Sequence, residues 1–307
     1  MTSFGERLAA AVGERRSQVV LGLDPDPARL WPEAVEADPG GAAAPAERAA
    51  AAVTAQCAAL IDAAGPACVA VKPQLACFER LGAPGWAALA ATVERAAAAG
   101  LLVVADGKRG DVPVTAAAYA QALVGATPTP FGAVPGLGVD ALTANPLLGR
   151  DALMPLIDAA RAASAGVFLL VRTSNPGAAD VQDLPGADGA PLWERLAALV
   201  AELGADAGGG GGLADVGAVT GATAPQHLQR MRELMPRAPF LLPGIGAQGG
   251  RVEDLEAAFA PGPAGGLVTA SRSIATAGER TGREPRTAAS EEAERLRAAA
   301  WDLAGGA

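Results

Sequence analysis

The stretch Leu101-Leu102-Val103-Val104-Ala105-Asp106-Gly107-Lys108-Arg109-Gly110-Asp111 passes from five apolar residues straight into charge. An apolar run of this length, without alternation, suits a parallel strand buried on both faces. Seven more runs read the same way: Gln18–Leu23, Cys68–Val71, Val139–Thr143, Val167–Val171, Ala214–Thr220, Phe240–Leu242 and Gly266–Ala270. Candidate helices lie between them, at Ala46–Ala64, Gly85–Ala99, Asp151–Ser164, Pro191–Leu203 and Ala224–Met235. Eight β-then-α units predict an α/β fold, a closed (β/α)8 TIM barrel in a single domain over residues 1–307. A doubly wound open sheet is the alternative. An N-terminal helix, a Pro-, Gly- and Ala-rich loop insertion near 32–46 and a helical C-terminal tail, Ser290–Leu303, complete the expected layout.

Composition narrows the function classes. Half of the 307 residues are hydrophobic but only 4% are aromatic, so Ala, Val and Leu must build the core. The formal charge of −9 sets aside a sequence-independent nucleic-acid binder, and positive charge for any phosphate must be local. Cys57, Cys68 and Cys77 have no metal-ligand spacing and read as small hydrophobes in a reducing compartment. Met1 to Val12 shows no apolar run behind a basic start, and the uncharged stretch Val112–Val139 is broken by Pro, Gly and Thr. Neither a signal peptide nor a membrane span is expected, and the expected location is cytoplasmic. Gly208–Gly212 lacks the Lys and Ser/Thr of a P-loop and reads as a linker. His227 is the only histidine and lies away from every strand end, which argues against multi-His metal sites and a Ser-His relay.

Charge and polarity collect where the strands end. The eight runs lead into Asp24, Lys72, Asp106 with Lys108, Asn145, Arg172-Thr173-Ser174-Asn175, Pro243-Gly244 with Gln248, and Ser271-Arg272, seven ends of the eight. In a parallel barrel those ends share one rim, where barrel enzymes do their chemistry. Residues two apart in an extended segment point the same way, so Asp106 and Lys108 should face the mouth together. Asp111 follows a Gly-containing turn and could cap the next helix, with Thr115 four residues later on the same helical face. Taken alone, the cluster also fits a solvated loop with a helix cap and a surface ion pair.

Asp106-x-Lys108-x-x-Asp111 after a barrel strand resembles the motif of the orotidine 5′-phosphate decarboxylase superfamily. Leu21-Gly22-Leu23-Asp24 and Val71-Lys72-Pro73-Gln74-Leu75-Ala76-Cys77-Phe78-Glu79 resemble that family's first and second strand ends. Thr173-Ser174-Asn175-Pro176-Gly177, Pro243-Gly244-Ile245 and Ser271-Arg272-Ser273-Ile274 follow in the right order, so the likeness spans Asp24 to Ile274. Thr173–Gly177, and Asn145-Pro146 with Gly149, resemble the longer bacterial branch in particular.

The resemblance implies a carboxy-lyase of UMP biosynthesis that converts orotidine 5′-monophosphate (OMP) to UMP and CO2 with no cofactor and no metal. Lys108 would donate a proton to C6 of the pyrimidine. Asp106 and Asp111 would hold it charged and aimed, because an opposite charge favours the ionised form. Lys72 would extend the row and contact the ribose, and Asp24 would bind a ribose hydroxyl. Ser174 would bond the pyrimidine amide edge, with Thr173 as the fallback. Arg272 and Gln248 would hold the 5′-phosphate, Arg through its planar fork, with N–H donors from the backbone after Pro243-Gly244. The loop Gly244–Gly250 is short, so any lid is small or comes from elsewhere. A homodimer is implied, with Asp111 and Thr115 acting in trans. The runner-up is a metal-dependent sugar-phosphate decarboxylase or aldolase on the same scaffold. It needs extra acidic ligands, for which Glu79 is the only nearby candidate. A non-catalytic nucleotide-binding barrel has little reason to crowd Asp106, Lys108 and Lys72 away from water.

Overall fold

The computed structural model describes residues 2–205 and 212–305, so Gly208–Gly211 of the glycine stretch lie outside the described residues. Eight parallel strands close on themselves: β1 Val19–Leu23, β2 Ala70–Pro73, β3 Leu102–Arg109, β4 Ala141–Ala144, β5 Gly166–Arg172, β6 Val216–Thr220, β7 Phe240–Leu242 and β8 Gly266–Ala270. β1 pairs with both β2 and β8, which excludes an open doubly wound sheet. Each apolar run of the sequence became a strand. Runs with no polar face are stable only when both faces are covered; here helices cover the outer face, and inward side chains such as Val20, Val104, Phe168 and Leu267 pack on one another inside the barrel.

Helix α1 (Phe4–Arg15) begins in a capping box between Ser3 and Glu6. It closes the lower end of the barrel. Phe4, Leu8 and Val12 pack with Val20, Val104, Phe168, Val219, Leu241 and Leu267, each contributing about 1.5–3 kcal/mol when fully buried. Phe4 meets Phe168 edge to face at 6.0 Å. Gly166 is required beside them, since a Cβ there would lie 2.3 Å from the Phe4 ring. The outer ring contains α2 (Pro45–Ala64), α3 (Ala83–Ala98), α4 (Pro113–Leu123), α5 (Arg150–Ala162), α6 (Leu192–Ala205), α7 (Leu228–Leu234) and α8 (Pro285–Leu303). The free thiols of Cys57 and Cys68 are buried under it, and burial pushes both up to about 12.

Several boundaries differ from the sequence reading, each for a local reason. The 32–46 insertion contains a helical turn, Pro32–Val35, started by Pro at its first position. α8 starts five residues earlier than Ser290 because Glu284 accepts from Arg286 and Thr287 N–H ahead of Pro285. Ala224–Met235 splits into a 3-10 turn, Pro225–His227, and α7. The β7–β8 connection is made of 3-10 turns around Pro261-Gly262-Pro263. A small antiparallel hairpin, Ala126–Thr127 with Val134–Pro135, follows α4. Among the described residues, no helix is long and apolar enough to cross a membrane.

Candidate active site

All eight strands deliver residues to one cavity of about 610 Å³ at their C-terminal ends. That size suits a small-molecule ligand. The structure brings together Asp24, Lys72, Asp106, Lys108, Thr173, Ser174, Pro243, Gly244, Gln248 and Arg272 on its wall. Asp111 and Thr115 do not line it.

The centre of the site is Asp106. Lys72 Nζ reaches its Oδ2 at 2.5 Å, and Lys108 Nζ reaches its Oδ1 at 2.6 Å. Burial alone would raise the Asp106 carboxyl, but the Lys72 and Lys108 ammoniums outweigh it and hold it near 2. Burial would likewise lower Lys72, yet Asp106 and Asp24 raise it above its ordinary value. Asp106 therefore stabilises the fold above its ordinary range and loses that contribution only as pH falls through about 2. Lys72 stabilises at lower pH and loses its contribution only as pH rises past its raised value. The pair keeps both charges throughout the neutral range. Well-packed apolar side chains in place of such a buried pair would serve stability at least as well, so its place in a cavity points to use.

The convergence expected of Asp106 and Lys108 is present, but plain strand alternation does not cause it. Lys108 has φ +47°, outside the extended region. β3 bulges against β4, and the extra residues turn into the mouth.

Asp111 departs from the sequence reading. Val112 is held extended by the following proline and occupies the cap position, without a side-chain bond, and α4 starts at Pro113. Asp111 is therefore neither the helix cap nor on a helical face shared with Thr115. Among the described residues, its carboxylate accepts only from the adjacent Val112 N–H, at 2.7 Å. Gly110 lets the chain pass Asn145, whose carbonyl oxygen would lie 2.9 Å from a Cβ there.

On the opposite wall, Thr173 Oγ1 donates to Asn175 Oδ1 at 2.7 Å and accepts from Gln182 Nε2 at 3.1 Å. No hydrogen bond among the described residues uses the Ser174 hydroxyl. The long excursion after β5 is clamped by Arg172, whose guanidinium donates to Asp183 at 2.8 and 3.0 Å. Gly244 at φ +107° and Gly246 at φ +72° turn the short loop after β7 back on itself, with Gly250 N–H bonding Gly244 O at 3.0 Å. Lys72 and Lys108 are both paired, whereas exposed Arg272 has no carboxylate partner among the described residues. Glu79 is taken by Arg109, which also lies over the Tyr119 ring. Among the described residues, no three His, Cys, Asp or Glu side chains are grouped to hold a metal ion. His227 meets Trp193 in a tilted ring contact, centroids 5.2 Å apart, outside the cavity.

Sequence reasoning missed Gln74, whose Nε2 reaches Asp106 Oδ2 at 3.3 Å. It stands two residues after Lys72 in the quoted second-strand segment, and that spacing was the available signal. It also missed Thr143, a hydroxyl inside an apolar run, and the apolar floor of Leu170, Val219 and Leu241.

The profile of the orotidine 5′-phosphate decarboxylase / HUMPS family matches residues 17–284. A relative named orotidine 5′-phosphate decarboxylase from Rhodopirellula baltica is 40% identical over 91% of this chain and 90% of its own length. Another of that name, from Deinococcus radiodurans, is 47% identical over 70% of this chain and 74% of its own. The solved OMP decarboxylase of Leishmania donovani superposes with a TM-score of 0.71 at 32% identity, covering 95% of this chain and 98% of that one.

Proposed function

Because the chain belongs to the orotidine 5′-phosphate decarboxylase / HUMPS family, we propose that it converts OMP to UMP and CO2 through the row Lys72, Asp106 and Lys108. The observation that carries the reading is the shared carboxylate: one buried Asp106 holding two ammoniums on the wall of a cavity large enough for a nucleotide. In the proposed reaction the bond from C6 to the carboxylate breaks, CO2 leaves and the electron pair stays on C6. The Lys108 ammonium stabilises that charge as it forms and delivers the proton that completes UMP. Lys108 is 43% exposed at its side chain, so solvent can return its proton. Asp24 and Lys72 take the ribose.

Ser174 takes the pyrimidine amide edge in preference to Thr173, because the Thr173 hydroxyl is already engaged. Gln248 and the backbone after Pro243-Gly244 join Arg272 on the phosphate. The Arg272 guanidinium, with no carboxylate partner among the described residues, supports that assignment. Arg272→Ala should weaken UMP binding by about 2–4 kcal/mol, as for a lost charge-assisted fork. Uridine should bind both proteins equally poorly in the same titration. Normal UMP binding by the variant would move the phosphate elsewhere.

The metal-dependent alternative is not favoured, since Glu79, its spare acid, is bound to Arg109. We expect full loss of OMP absorbance after exhaustive chelation. Activity that disappears with chelator and returns with Mg²⁺ would instead support the sugar-phosphate enzyme.

We also infer a homodimer in which Asp111 and Thr115 complete the partner's site. Neither residue lines the cavity of its own chain. Val112 and Val114 beside them are exposed, as is Phe131 on the hairpin, and exposed apolar groups of this kind are a surface another chain can cover. The three free cysteines suit a reducing, cytoplasmic location.

A further inference from the structure

We propose that Thr143 is a positioning residue for the charged row, a role that rests on the reading of Asp106 and Lys108 given above. Ala105 pairs with Leu142 and Arg109 with Ala144, so three residues of β3 face Thr143 alone. Those three are Asp106, Gly107 and Lys108. The bulge sends Asp106 and Lys108 into the cavity, and it leaves Lys108 in the left-handed region at φ +47°. A residue with a Cβ stays there only when its surroundings hold it.

The Thr143 hydroxyl is what holds it. Its Oγ1 accepts the Lys108 backbone N–H at 2.9 Å and donates to Asp106 Oδ1 at 2.9 Å. Lys108 Nζ bonds the same Oδ1 at 2.6 Å. The chain of contacts therefore closes on itself: from Lys108 backbone to hydroxyl, to carboxylate, to Lys108 ammonium. One side chain fixes both the backbone that launches Lys108 and the oxygen that receives its charge. Thr143 is 1% exposed, so water has little room to replace the hydroxyl. It does not line the cavity and touches no substrate, so its effect must pass through Lys108 and Asp106.

The test compares Thr143→Val, which keeps the shape and removes the hydroxyl, with Thr143→Ala and Thr143→Ser. Val and Ala should each lose about 10- to 100-fold in kcat, the scale of a misplaced reacting group. KM should stay within about threefold, because phosphate and ribose contacts lie elsewhere. Ser should restore kcat to within about threefold of wild type, since it keeps both bonds of the hydroxyl. A crystal structure of the Ala variant should show Lys108 leaving the left-handed region. If Val does not fold, the Ser and Ala pair carries the comparison. Equal kcat in Ser and Ala, or a change confined to KM, overturns the proposal. Wild type without OMP turnover sinks the underlying reading and this role with it, whereas an active wild type matched by Val and Ala sinks this role alone.

Discussion

Lys108→Ala is expected to lose at least about 10³-fold in kcat while keeping its fold. The size follows from two losses at one position. The proposed reaction places an electron pair on a carbon with no neighbouring sink, so the nearest preorganised cation and the proton source vanish together. The fold should survive for reasons visible at the rim. The Lys108 side chain is 43% exposed and packs into no core. Its removal leaves Asp106 still bonded to Lys72 at 2.5 Å and to Thr143 at 2.9 Å, so no bare buried charge remains. Ala at φ +47° is no worse placed than Lys, since both carry a Cβ. The measurement is single-turnover OMP decay beside a thermal melt. A midpoint within about 4 °C of wild type with turnover gone meets the expectation. A loss under about tenfold would remove Lys108 from the proton-donor role.

The strands were legible because a fully buried parallel strand has no choice about polarity. Every residue from Val19 to Leu23 is buried, and none of the five is polar. The cavity wall was legible for the complementary reason: Asp24, Lys72 and Asp106 are charges placed directly after such runs, and Arg272 follows one residue later, where only the barrel mouth can take them. What stayed hidden depends on pairing between elements. The β3 bulge exists only as a mismatch with β4, and neither segment alone shows that Thr143 must serve three residues. Glu79 reads as a spare ligand in the sequence, but Arg109, itself held over the Tyr119 ring, pairs with it. Asp111 is a different case, because the needed signal was present. Val112-Pro113 fixes the helix start one residue beyond the point where Asp111 could cap it.

That displaced position gives the last expectation its force. Lys108→Ala and Asp111→Ala should each be inactive alone, yet recover about one quarter of wild-type activity when reassorted in equal amounts. Asp111 follows the strand after Lys108 and does not line its own cavity, with exposed Val112 and Val114 beside it. A two-fold contact through this segment would be self-complementary, each chain lending Asp111 to the other. In a mixed dimer, one site then lacks both residues. The other takes Lys108 from the Asp111→Ala chain and Asp111 from the Lys108→Ala chain, and is complete. Random pairing makes about half the dimers mixed, each with one working site of two, hence the quarter. Co-expression with two different affinity tags isolates the mixed species and avoids relying on subunit exchange, and in that purified pool the expectation rises to about one half. Mixed dimers that remain inactive would place Asp111 in the site of its own chain. A chain that stays monomeric at assay concentrations and still turns over OMP would remove the need for any shared site, and the charged row would then have to work from Lys72, Asp106 and Lys108 alone.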